Sequence, residues 1–156
     1  MTKVDPCSGC GNPGGAEECR ALFEAMLARD FSDPLFFGSH RLFVDAYCLQ
    51  HPELHCVSAK SLAAHLAGIC QIIEQGTSEA TGDPALRRLL DGNVKLEKPP
   101  LPAGRGALTL ANLANIDDPV PWREAVRRWA ECVWAAYAEL QPFARRWLAE
   151  AQAASR

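Results

Sequence analysis

A chain of 156 residues that is 48% apolar can bury one core without covalent staples, and its formal charge of -3 leaves no basic face for phosphate. Nucleic acid is therefore not an expected partner. No run of about 18 apolar residues occurs, so neither a membrane span nor a membrane partner is expected.

The N-terminal segment Met1 to Pro6 is polar and has no apolar stretch of the kind a secretion signal needs, which points to the cytoplasm. Residues 1–15 read as an arm outside the helical pattern. The first helix is expected from Ala16 to Phe31, where Cys19, Leu22, Phe23, Met26 and Leu27 recur at steps of three and four behind Glu17 and Glu18. Asp33-Pro34 supplies a cap and a first-turn proline for a second helix to about Gln50, apolar on nearly every side and so central. His51-Pro52 ends it. Ser58 caps a third helix running to Gln75, with Leu62, His65, Leu66, Ile69, Ile72 and Ile73 on its buried stripe and Gly76 as its stop.

A short fourth helix is expected from Asp83-Pro84 to Asp91, closed by Gly92. Residues 93–106, with Pro99, Pro100, Pro102, Gly104 and Gly106, hold neither helix nor central strand and read as a connector over the surface. Ala107 to Ala111 fits a short strand or one helical turn equally well. Asp118 caps a helix whose Trp122, Val126, Trp129, Val133, Tyr137 and Leu140 form the clearest stripe in the chain, read as core. Gln141-Pro142 begins a final helix through Phe143, Trp147 and Leu148. The expected fold is all-α, a bundle of about five helices forming a single domain over 1–156.

Seven cysteines cannot pair completely within one chain, and Cys48, Cys70 and Cys132 fall inside apolar helical patterns, so a disulfide scaffold is not expected. Cys7-Ser-Gly-Cys10-Gly11 stands apart. A CxxC pair serves as zinc ligands, as a redox dithiol, or as two unrelated thiols. Redox pairs open a helix, whereas Gly-Asn-Pro-Gly-Gly follows Cys10; the glycines suit a tight zinc knuckle, and Zn2+ is the expected cofactor.

Two thiolates leave two ligands to find. His40 and His51 lie eleven residues apart, about 16 Å along a helix axis, too far for both to bind one ion. If helices two and three form a hairpin about residues 51–57, residue 65 lies opposite about residue 44, and His40 and His65 can converge. Cys7, Cys10, His40 and His65 are thus the first-choice ligand set, with Cys19 and His51 in reserve. A histidine on an apolar helix face is also satisfied by hydrogen bonding, for His65 from Asp45 or Tyr47, and Asp45 itself must face solvent or pair with a histidine or Arg41.

The strings CxxCG at 7–11, Glu18-Cys19, HRLxVDAYxxQHP at 40–52, SxxxHL at 61–66 and the later GALT before Trp-rich helices resemble a family of small bacterial proteins, a domain of unknown function. The resemblance covers nearly the whole chain. It implies that Cys7, Cys10, Cys19, His40, Asp45, Tyr47, Gln50, His51 and His65 matter most, and it implies no activity. One departure, the shortened segment 11–16, bears on whether Cys19 reaches the metal of Cys7 and Cys10.

Two functions follow as expectations. In the first, a structural zinc site stabilises a helical module that binds a partner, expected to be another protein. In the second, a small hydrolase-like metalloenzyme uses the His40, Asp45, His51 and His65 region, with Asp45, His51 and Tyr47 as candidate catalytic groups. No Ser/His/Asp set, HExxH or glycine-rich phosphate loop is present to choose between them.

Overall fold

A computed structural model of the chain describes residues 3–79, 83–92 and 94–154. Met1 and Thr2 of the arm and Asn93, the first residue assigned to the connector, lie outside these. The described residues form eight α-helical segments and no strand: α1 (Gly15–Ser32), α2 (Pro34–Phe37), α3 (His40–Gln50), α4 (Pro52–His55), α5 (Ala59–Ile73), α6 (Pro84–Asp91), α7 (Pro119–Ala136) and α8 (Gln141–Ala153). Two of these are single turns, which reconciles the eight with the longer helices expected from periodicity.

Aspartate followed by proline starts three of the helices. Asp33, Asp83 and Asp118 each accept a backbone N–H two residues on, at 2.9, 2.6 and 3.0 Å, while the proline at the first helical position needs no such partner. Ser58 and Ser61 cap α5 reciprocally. The segment 107–111 resolves in favour of the turn, a 3₁₀ turn over Leu110–Asn112 capped by Thr109.

The expected second helix is broken at Gly38 and Ser39 into α2 and α3. The apolar run hid the break, since it continues across both pieces, with Phe36 of α2 buried and Leu35 and Phe37 exposed. α3 is the centre of the fold, lying against both α5 and α7, while α8 covers α5 and α6. Trp122, Val126, Trp129 and Val133 on α7 and Tyr137 at its C-terminal cap are fully buried, as the stripe requires. The Tyr137 hydroxyl donates to the Leu49 carbonyl at 2.5 Å, and Trp129 Nε1 donates to Gln50 Oε1 at 3.1 Å, so the polar tips of these two core aromatics are satisfied by α3, whereas Trp122 Nε1 is buried without a protein partner among the described residues.

α3 and α5 form the hairpin expected about residues 51–57, and His65 Nδ1 stands 2.9 Å from Asp45 Oδ1. Asp45 is buried against the backbone of Gly68, and a Cβ at 68 would collide with its carboxylate. Gly68→Ala is therefore expected to cost about 1–3 kcal/mol by overpacking, read as a lowered midpoint in urea unfolding.

Candidate metal centre

The arm turns back on itself before α1 begins. Cys7 N–H donates to the Asn12 carbonyl at 2.9 Å and Gly11 N–H to the Cys7 carbonyl at 2.7 Å, with Gly11 at a φ of 80°, in the left-handed region that glycine enters without strain. This loop presents the sulfurs of Cys7 and Cys10 on one side. Gly9 presses on the end of α3: a Cβ there would lie 2.5 Å from the His51 ring, so the position just before Cys10 calls for glycine.

Cys19 reaches the same point from the second turn of α1, and His51 from the C-terminal end of α3. The Sγ atoms of Cys7, Cys10 and Cys19 and a ring nitrogen of His51 all lie within 4.8 Å of one another, and all four residues are buried. Cys10 and Cys19 sulfurs are 3.6 Å apart, and His51 Nε2 stands 3.5 Å from Cys7 Sγ and 3.3 Å from Cys19 Sγ. The four atoms enclose a space that can hold one metal ion.

The imidazole is held for this role. His51 Nδ1 lies 2.8 Å from the Tyr47 carbonyl, which only accepts, so Nδ1 carries the proton and Nε2 turns its lone pair to the sulfurs. Tyr47 stacks on His51 at 4.1 Å between ring centroids and on Phe23 of α1 at 3.7 Å, which fixes the ring plane and ties α3 to α1.

Electrostatically the cluster holds one thiol, that of Cys10, in its deprotonated form and leaves protons shared among its neighbours. A hydrogen bond from Cys19 holds the Cys10 thiol down to about 4 against the opposing effect of burial, with His51 adding to the lowering. Cys19, the other side of that hydrogen bond and buried beside a thiolate, is pushed above the ordinary thiol range. Burial presses His51 down, but its hydrogen bonds to Cys10, to the Tyr47 carbonyl and to Cys7 outweigh this and leave it raised. A divalent cation inserted here would replace the shared protons and offset two of the three thiolate charges.

The structure thus gathers Cys7 and Cys10 with the two reserve residues, Cys19 and His51, and does not bring His40 or His65 to them. His40 Nδ1 pairs at 3.1 Å with Asp30, whose side chain is fully buried, and its ring stacks on Phe37 at 4.9 Å. His65 pairs with Asp45 on the hairpin. The shortened segment 11–16 does not keep Cys19 away; it starts α1 beside the knuckle, and one turn of helix delivers the sulfur.

Gln50 is the polar group adjoining the centre. It is fully buried, donates from Nε2 to the carbonyls of Arg105 at 3.0 Å and Leu108 at 2.7 Å, and accepts from Trp129. It anchors the connector to the end of α3. Arg105 adds a two-point contact with Glu53 of α4, at 2.8 and 3.3 Å.

No curated protein and no solved structure matches the chain. A family model does, over residues 5–138, a span that includes all four clustered residues and Gln50. The chain belongs to that family, DUF5946, a family of unknown function.

Proposed function

We propose that Cys7, Cys10, Cys19 and His51 hold a zinc ion as a structural site, and that the protein works by binding rather than by metal-centred chemistry. The observation that carries this is the spacing of the four ligand atoms. Placed tetrahedrally on zinc, with Zn–S about 2.3 Å and Zn–N about 2.0 Å, sulfurs stand about 3.7 Å apart and sulfur and nitrogen about 3.5 Å. Three of the six distances between the clustered atoms, 3.6 Å for Cys10 to Cys19 and 3.5 and 3.3 Å from His51 to two sulfurs, match that tetrahedron, and the other three are within 4.8 Å. Three sulfurs and one imidazole are also the soft donor set that zinc favours over magnesium or calcium.

Four protein ligands fill the tetrahedron and leave no position for water, which favours a structural role over the hydrolase-like alternative. His40, Asp45 and His65, the other residues of that alternative, are engaged in two Asp–His pairs apart from the cluster. The ion joins three segments: the arm, the first turns of α1 and the C-terminal end of α3.

The purified protein is expected to carry one zinc per chain, with X-ray absorption reporting three sulfur neighbours and one nitrogen. Two sulfur neighbours with two light scatterers, one exchangeable with solvent, would overturn the closed site. A chelated sample that melts at the same temperature as the loaded one would overturn the structural role.

A further inference from the structure

A cavity of about 930 Å3 opens beside the metal centre, and Cys7 and His51 form part of its wall. It lies between α1 and α4. Lining residues on α1 run from Ala16 to Leu27, eleven residues on, or about 16 Å of helix. Its size lies within the range of small-molecule sites, which are concave, mostly apolar and carry few polar groups.

The apolar part is supplied by Phe23 and Leu27 from α1, Tyr47 from α3 and Leu54 from α4. Leu54 is 74% exposed in a single-turn helix where a polar residue would cost nothing, and it stands at the lip of the cavity. The charges around it are unequal. Glu17, Glu24 and Glu53 line the cavity against Arg20, with the imidazoles of His51 and His55 beside them. Arg20 answers Glu24 at 3.9 Å and Arg105 answers Glu53 at 2.8 Å, while Glu17 has no ion-pair partner among the described residues. Behind the wall, three thiolates outnumber the two charges of the proposed ion.

We infer that this cavity binds a small organic cation, an apolar body seated on Phe23, Leu27, Tyr47 and Leu54 with an ammonium-type group drawn to the carboxylate rim at Glu17. The inference rests on the zinc reading only for the charge behind the wall. The cavity, the apolar seat and the carboxylates stand independently of it. An anionic ligand meets the same seat with the wrong rim, and a neutral one gains nothing from the carboxylates, so discrimination by charge is the property that the geometry demands.

The test uses the full zinc-loaded chain and two probes that share a fluorophore and a five-carbon chain, dansylcadaverine with a terminal ammonium and dansyl-6-aminohexanoic acid with a terminal carboxylate. Dansylcadaverine is expected to bind saturably, one per chain, at least about fivefold more tightly than its carboxylate twin, with amide shifts confined to the cavity residues. Glu17→Lys is expected to reverse the preference, and Leu54→Ser to weaken both probes about tenfold without altering the melting temperature. Absence of saturable binding, equal binding of the two probes, or indifference to both substitutions would overturn the inference, as would shifts mapping outside the cavity. Zinc is quantified in every sample: loaded protein that fails to bind overturns this inference alone, whereas protein that carries no zinc overturns the metal reading and leaves the probe comparison to stand by itself.

Discussion

Cys19→Ser is expected to abolish stoichiometric zinc binding, while His65→Ala retains it in full. The pair of variants separates two ligand sets that both contain the CxxC knuckle, and elemental analysis reads the difference directly. Serine keeps the size and burial of Cys19 but does not ionise near neutral pH, so the tetrahedron loses a charged donor and the remaining ligands bind the ion far more weakly. Structural zinc in isolated fingers is worth about 10–16 kcal/mol because nothing else folds the peptide. Here α3, α5 and α7 enclose a core of fully buried Trp122, Trp129, Leu62, Leu66 and Ile69 that does not depend on the arm. The expected loss is accordingly smaller, about 3–5 kcal/mol, or roughly 10 °C in melting temperature for a chain of this length. Hydrogen exchange should localise it: amides of residues 5–20 lose protection in Cys19→Ser and those of α5 and α7 keep theirs. Retention of zinc by Cys19→Ser together with its loss in His65→Ala would return the site to His40 and His65.

The helical frame was legible because its signals are local. Asp-Pro caps at 33, 83 and 118 act within one turn, and the α7 stripe repeats over five turns, so neither depends on distant contacts. The break at Gly38 and Ser39 was not legible, since apolar residues on both sides continue without a change of period. The α3–α5 register was legible from the length of the turn, and it brings His65 to Asp45 as that register requires. The ligand set turned on one assumption about numbers. Helix rise correctly forbids His40 and His51 from sharing an ion, but that argument matters only if the site needs two histidines. With three cysteines it needs one, and the one at the hinge of the hairpin is nearest the point where the arm returns. Cys19 falls on the apolar stripe of α1, where a buried thiol is ordinary, so periodicity could not single it out; its position one turn past a glycine knuckle was the available signal.

Gln50→Ala is expected to be the most damaging substitution away from the metal ligands. The side chain is fully buried and makes three hydrogen bonds, two to the carbonyls of Arg105 and Leu108 and one from the indole of Trp129. Truncation orphans all three partners in a packed interior, each at about 1–3 kcal/mol, and leaves a cavity where the amide stood. Water entering that cavity recovers part of this, so a loss of about 3–5 kcal/mol is expected, seen as a lower denaturant midpoint. Gln50→Leu fills the volume but supplies neither donor nor acceptor, and it should recover less than half of the loss if the hydrogen bonds dominate. Full recovery by leucine would show instead that packing alone holds this point. The substitution has a second, local readout. With its two carbonyl contacts gone, the connector is held at this end by the Arg105 contact with Glu53, whose carboxylate is 60% exposed and so contributes little. Trypsin should then cut after Arg105 in Gln50→Ala well before it cuts the parent chain, while zinc content stays at one per chain, because His51 is positioned by Tyr47 and not by its neighbour Gln50.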